Sequence, residues 1–224
     1  MSLSQYLTAL TNAQSIEELW DMHTKKMASY GFDRLLYGFT RFRSGSSLGD
    51  PEDYVILTTH EPSYVDAFVA GGLHHDAPMV KWVLENEGAC SWNILPHLAE
   101  NGMMSEKEKK VIEFNRKHGV VSGYSVSFKS ISPRSKGAIA LTARSELSQE
   151  RVDATWERYG DEILVINNVA HLKIMTLPYS GPTRQLTKRQ REALQWVGDG
   201  KTTQDIALLM GLTSKNICAW RARR

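Results

Sequence analysis

Leu177-Pro178-Tyr179-Ser180-Gly181-Pro182-Thr183 places two prolines and a glycine within seven residues. No helix or strand runs through such a stretch. Each proline fixes its own φ, lacks an amide donor and restricts the residue before it. The 224-residue chain is therefore expected to divide into a domain over 1–176, a linker over 177–185 and a small module over 186–224. Charge divides at the same place. From Pro178 onward there are nine Lys/Arg against three Asp/Glu, and the rest of the chain carries 18 against 22. A short basic module on a larger acidic one makes the tail the part that meets a polyanion, although a basic excess this short also fits a solvated face.

Composition excludes several classes. With 42% hydrophobic and 23% charged residues, the chain has the make-up of a globular protein rather than a disordered one. No apolar run approaches the ~20 residues that span a bilayer, and the start, Met1 to Tyr6, lacks the basic and apolar regions of a secretory leader. Two cysteines, Cys90 and Cys218, are too few for a disulfide framework and read as reduced residues. The expected location is cytoplasmic, with no membrane partner and no cofactor.

Within 1–176, helical and strand patterns alternate. Ile16, Leu19, Trp20, His23, Met27 and Tyr30 follow helical spacing, closed by Gly31. Arg34–Phe42 and Tyr54–Thr58 read as strands, and Pro62–Val69 and Pro78–Glu87 as short helices. Ser105 opens a helix that Gly119 ends. Gly123–Ser130 sets Tyr124, Val126 and Phe128 against Ser125, Ser127 and Lys129, the period of a half-buried strand, and Gly137–Ala143 pairs with it. A long helix from Ser148 to about Leu172 carries Val152, Trp156, Tyr159, Ile163 and Ile166 on one stripe. The fold class expected is α+β, an antiparallel sheet between helical layers, followed by a small all-α module.

That module is more specific. Thr187-Lys188-Arg189-Gln190 has a capping-box form, and its helix runs through Ala193, Leu194 and Val197 to Gly198-Asp199-Gly200. Thr202 caps a second helix, with Asp205 three positions on and Ile206, Ala207 and Met210 facing inward. Gly211-Leu212 turns the chain, and Thr213 caps a third helix. Thr213, Ser214, Lys215, Asn216, Arg221, Arg223 and Arg224 are the expected DNA-contacting residues, since they offer donors to base edges and phosphates. A three-helix adapter with a basic surface is the plainer alternative.

Leu186-Thr187-x-Arg189-Gln190-x-Glu192-Ala193-Leu194-x-Trp196, Gly200-Lys201-Thr202-x-x-Asp205-Ile206-Ala207 and Gly211-Leu212-Thr213 together resemble the helix-turn-helix of LuxR-type regulators over about forty residues. The family's first helix usually carries a glutamate where this chain has Gln190. The N-terminal region resembles, more loosely, the acyl-homoserine-lactone-binding domain of quorum-sensing LuxR proteins. Trp92 matches its pocket tryptophan, and Gly119 and Gly123 match its paired glycines. The resemblance implies an α-β-α sandwich that senses a small signal and a module that binds DNA. The long helix, with Trp156, Tyr159 and Ile163, carries more aromatic surface than one core-facing stripe requires, so a symmetric homodimer formed mainly by the N-terminal domain is expected.

It also implies where this chain departs. Family members place a Tyr, a Trp and a Tyr at four-residue intervals and then an Asp-Pro pair; the corresponding residues here are His60, Tyr64, Phe68 and Ala77. The aspartate accepts a hydrogen bond from the ligand amide, and Ala77 has no acceptor. Asp76 lies one residue early, about 100° away on a regular helix. Ligand contact is thus expected from His60, Tyr64, Phe68, Asp76 and Trp92, with three outcomes open: a changed pocket for a different signal, Asp76 moving into place for an ordinary one, or a cavity filled by side chains.

No catalytic reading rises beside this one. His74, His75, Asp76, Cys90 and His97 fall within a short stretch, but no pair has metal-binding spacing, and there is neither a nucleophile elbow nor a phosphate loop. The sequence ends at Arg224, whereas LuxR-type modules continue into a fourth helix that pairs two DNA-binding domains. The alternative expectation is therefore a ligand-independent anti-activator that forms inactive heterodimers with a full-length LuxR-type relative.

Overall fold

The computed structural model describes residues 2–43, 48–130, 132–178 and 187–212, with all their side chains except those of Glu52 and Gln190. The chain divides into two compact units, Met1–Gly181 and Pro182–Arg224.

The first unit is built on an antiparallel sheet of β1 (Phe32–Thr40), β2 (Val55–Thr58), β3 (Gly88–Ser91), β4 (Gly123–Ser127) and β5 (Lys136–Ala143), in the order β2-β1-β5-β4-β3. Tyr37 on β1 and Val126 on β4 both pair with Ile139 on the central strand. Successive side chains point to opposite faces of a strand. One face therefore collects Leu35, Tyr37, Phe39, Tyr124, Val126, Phe128, Ile139 and Leu141, which share a single core with the helices α1 (Leu3–Asn12), α2 (Ile16–Ser29) and α7 (Gln149–Thr176). The other face is covered by α3 (Pro62–Val65), α4 (Pro78–Glu85), α5 (Ile94–Glu100) and α6 (Glu106–Lys117), together with short turns over Asp66–Ala70 and Leu73–Asp76. The result is the expected α-β-α sandwich.

The helix α7 organises the first face. Its 28 residues extend about 42 Å at 1.5 Å per residue. It lays Val152, Ile163, Ile166, Ala170 and Ile174 on the sheet, each at most 4% exposed. Burying an Ile or Val side chain fully contributes about 1.5–3 kcal/mol. The Trp156 ring stacks on Tyr124, with centroids 3.9 Å apart.

Two buried polar pairs interrupt this core. His23 Nε2 and Asn167 Oδ1 are 3.1 Å apart, and Asn167 Nδ2 donates to the Ile163 carbonyl. The Tyr37 hydroxyl and His171 Nδ1 are 2.9 Å apart, and the His171 ring stacks on Phe128. Gly137 makes room for that ring, since a Cβ there would stand 2.6 Å from His171 Cε1. Burial drives both imidazoles toward the neutral form and holds the pKa of His23 and of His171 down to about 4.

Several elements differ from expectation. The sequence pattern missed α1, although Ser2 and Gln5 form a complete capping box; only Tyr6 and Leu10 of this helix are buried, too few to set a period. It missed β3, whose Gly-Ala-Cys-Ser sequence has no β-branched residue, and α5, which contains Pro96 and buries no residue. β4 is not half-buried: all five residues are inside, because its serine face looks into covered space rather than solvent.

In the second unit, α8 (Lys188–Gly198) and α9 (Thr203–Leu209) bring Ala193, Ile206 and Ala207 together, with Trp196, Met210 and Leu212 against them. Thr202 Oγ1 accepts from the Asp205 amide while Asp205 accepts from the Thr202 amide. This is the anticipated capping box. The reciprocal bond expected of Gln190 and the third helix lie outside the described residues.

A histidine that is neutral when folded and titrates near 6.5 when unfolded stabilises the fold above pH 6.5. The contribution is lost as pH falls from there toward 4, where the unfolded state takes up the protons first. Each of His23 and His171 should remove up to ~3 kcal/mol over that window. Thermal melts at pH 7.5, 6, 5 and 4 are expected to show a falling midpoint, and His171→Phe to flatten the slope.

Candidate functional site

The face of the sheet opposite α7 carries small side chains. Gly38 on β1, Ala138 and Ala140 on β5 and Ser125 on β4 leave a gap below α3, α4 and α6, and the cavity that results measures about 690 Å³. It is mainly apolar, with Leu36, Ile56, Val80 and Leu95 in its walls. That size and character suit a drug-sized amphiphile.

His60, Tyr64 and Phe68 form one wall. His60 lies just before α3, Tyr64 within it and Phe68 in the turn that follows, and this path brings their rings to one side. His60 stacks on Tyr64 with centroids 4.5 Å apart, Tyr64 stacks on Phe68 at 5.4 Å, and Phe114 of α6 also stacks on Tyr64 at 5.4 Å. The Tyr64 hydroxyl donates to Asn115 Oδ1 at 3.0 Å. Burial, with help from Arg34, lowers the His60 pKa to about 4, so its ring enters the wall uncharged. The chain widens to a π-turn over Asp66–Ala70, a local irregularity often found beside binding sites.

Trp92 forms the end of the floor. Its Nε1 donates to Ser125 Oγ at 2.9 Å, and its ring lies over Gly123, where a Cβ would meet Cζ3 at 3.0 Å and the Leu141 carbonyl oxygen at 2.2 Å. The glycine is required by close approach on both sides. Gly119 stands outside the cavity, where it ends the helix α6 at φ +69°.

Asp76 is the residue that the structure does not bring in. It ends a 3-10 turn, Leu73–Asp76, is half-buried and is absent from the cavity lining, while Ala77 is 4% exposed and lines it. Successive residues of a 3-10 turn are about 120° apart, so the turn that points Ala77 inward points Asp76 away. Of the three outcomes left open by sequence, Asp76 moving into place is not adopted, and neither is a filled cavity.

Other polar groups in the wall were missed. His74 Nδ1 donates to the Phe68 carbonyl at 3.0 Å, which leaves Nε2 as a buried acceptor without a partner. Thr142 Oγ1, on the cavity face of β5, is likewise buried and unpaired. Lys136 begins the same strand and lines the same cavity. Period-two counting from Ala138 and Ala140 would have put Lys136 and Thr142 on the cavity face.

The expected DNA contacts, Thr213, Ser214, Lys215, Asn216, Arg221, Arg223 and Arg224, lie outside the described residues. Among the described residues, no group of three or more His, Cys, Asp or Glu is placed to hold a metal ion, and no helix is long and apolar enough to cross a membrane. His74 and His75 face each other with ring centroids 3.9 Å apart.

Residues 15–174 match the autoinducer binding domain, and residues 184–223 match the bacterial regulatory proteins of the luxR family. The chain belongs to the LuxR family of transcription regulators. Its relatives include the transcriptional activator ExpR of Dickeya dadantii (strain 3937), 22% identical over 206 residues that cover 86% of this chain and 76% of that one. AnoR of Acinetobacter nosocomialis is 23% identical over 214 residues, covering 94% and 84%. Among solved structures, this LuxR-family chain shares its fold with CepR2 from Burkholderia cenocepacia, at a TM-score of 0.57 and 17% identity over 77% of this chain and 93% of that one. SdiA in complex with octanoyl-rac-glycerol superposes at a TM-score of 0.56 and 14% identity, covering 96% and 83%.

Replacing Gly123 by Ala should force β4 away from β5 and displace Trp92. The expected cost is about 1–3 kcal/mol, as for overpacking a filled site, read as a lower urea midpoint at unchanged slope.

Proposed function

We propose that this LuxR-family regulator holds a small single-chain amphiphile in its N-terminal cavity and couples that occupancy to operator binding by its C-terminal helix-turn-helix. The observation that carries the reading is the cavity itself: an apolar space of about 690 Å³ over a floor of Gly38, Ala138 and Ala140. Three small residues on two adjacent strands leave a volume that close packing would otherwise fill. The aromatic ladder of His60, Tyr64 and Phe68 and the Trp92 ring supply flat walls for a tail and head.

An acyl-homoserine lactone fits this space less well than its size implies. The ligand amide N–H would meet Ala77, which has no acceptor, and the Tyr64 hydroxyl already donates to Asn115. A buried donor left unpaired costs about 1–3 kcal/mol, one to two decades of affinity. Stabilisation by a ligand follows RT ln(1 + [L]/Kd). Micromolar N-acyl homoserine lactones are therefore expected to raise the melting temperature only slightly, and a rise of several degrees would show that the wall accepts the amide after all. Ala140→Phe, which fills the floor from a strand packed on its other face, should remove any ligand-induced rise and shift the ligand-free midpoint by less than about 3 °C, roughly 1 kcal/mol for a domain of this size.

The regulator is further read as a homodimer joined through its N-terminal domain. Trp156, Tyr159 and Ile163 do not carry this, since Ile163 is in the core and the other two, half-buried, pack against it. Val165 and Leu172 do. They are 46% and 55% exposed on α7, and their seven-residue spacing puts them on one stripe. The DNA contacts proposed are Lys215, Asn216, Arg221, Arg223 and Arg224, with Thr213 and Ser214 at the helix start. Leu172→Glu is expected to sediment as a monomer at concentrations where the parent is a dimer. It should also lose about 10² or more in affinity for a two-fold operator, because the second half-site is no longer held at high effective concentration. Unchanged sedimentation would place the interface elsewhere.

A further inference from the structure

The cavity holds a charge that the reading above does not use. Lys136 starts β5 on the floor face and is only 5% exposed. Its ammonium donates to the Asn86 carbonyl at 3.0 Å, an oxygen that already accepts from the Ser127 hydroxyl at 2.6 Å. Among the described residues this is the one acceptor it reaches, and no carboxylate lies within ion-pair distance. An ammonium has three donors, and burying a charge is costly unless it is paired. Burial and then the Arg43 charge push its pKa down, while Glu87 pulls the other way.

The two ends of the cavity differ in sign. Lys136 and Thr142 are six residues apart on one face of β5, about 20 Å at ~3.3 Å per residue. Asp153, also in the lining, carries hydrogen bonds from Ser91 and Gln149 and keeps its carboxyl below its ordinary pKa; Glu150 lies beside it. Glu150 is exposed and Asp153 half-buried, so water screens both, whereas Lys136 is buried where charge is screened less; an anion entering this space is drawn to the Lys136 end. Thr40, Leu48, Val83 and Leu84 provide the lining on the side of Lys136 and offer no second cation.

We propose that Lys136 anchors the head group of the ligand and that the ligand is a single-chain amphiphile ending in a carboxylate, an assignment that rests on the cavity being a ligand site. A carboxylate brings acceptors only, so it supplies what the buried ammonium lacks. It also brings no N–H to the wall at Ala77. The tail then runs along Gly38, Ala138 and Ala140 toward Trp92. The competing role for Lys136 is purely structural, as a cation at the C-terminal end of α4, where carbonyls point outward. The two roles differ in what they do to head-group discrimination.

The test is calorimetric titration of the full chain, stripped of lipid, with dodecanoate, its methyl ester and N-dodecanoyl homoserine lactone. The ester keeps the tail and removes the charge. The parent is expected to bind dodecanoate at least ten times more tightly than the ester. Lys136→Met should bring that ratio near one and leave ester affinity within about twofold, whereas Lys136→Arg should keep most of the preference. A parent with no preference for the acid overturns the assignment, and needs no variant to fold. A preference that survives in Lys136→Met overturns it as well. If ester and lactone bind and the acid binds no better, Lys136 is a structural cap and the cavity remains a ligand site. If none of the three binds, both readings fall.

Discussion

α7 lies along the sheet with Val152, Ile163, Ile166, Ala170 and Ile174 against the larger side chains of β1, β4 and β5. This contact fixes the strands in register through one face alone, because a slip of one residue would turn Tyr124, Val126, Ile139 and Leu141 to the wrong side. With register secured there, the opposite face is free of that duty and carries Gly38, Ser125, Ala138 and Ala140. A sheet packed equally on both faces would have no cavity. The volume in which a signal can sit is thus a consequence of unequal packing across a single layer of backbone.

The second constraint is polar. Every donor brought into so apolar a space needs a partner, and most here have one within the protein. Trp92 Nε1 is held by Ser125, the Tyr64 hydroxyl by Asn115, and His74 Nδ1 by the Phe68 carbonyl. These bonds set ring orientations before any ligand arrives. They also take up hydrogen-bonding groups that would otherwise serve a ligand head. Fully buried and unpaired among the described lining residues are His74 Nε2 and the Thr142 hydroxyl, beside the spare donors of Lys136.

Much of this was legible in the sequence, for a reason that can be stated. The proline-glycine break, the capping boxes at Ser105 and Thr202 and the alternation over Tyr124–Phe128 are local rules, and local rules survive without knowledge of contacts. His60, Tyr64 and Phe68 came from the family resemblance instead, which supplies their register. What failed depended on tertiary placement. Period two said that Ser125 and Ser127 face away from Val126, but solvent and cavity look alike to a polar residue. Asp76 stayed open because tertiary placement sets the backbone path into Pro78, a 3-10 turn over Leu73–Asp76 followed by an extended Ala77. Trp156 and Tyr159 read as surplus to one stripe, and the structure packs both, half-buried, against the core that α7 covers.

β5 has one property whose effect is evolutionary rather than structural. Its residues alternate between two jobs that barely interact: Ile139 and Leu141 hold the domain together, while Ala138 and Ala140 shape the space for a ligand. The two sets point to opposite faces of the sheet and contact different clusters of side chains. Mutation can therefore lengthen, shorten or re-polarise the chamber one alternate residue at a time without eroding the fold. A lineage built on such a strand can change which molecule it listens to far more easily than it can change its shape.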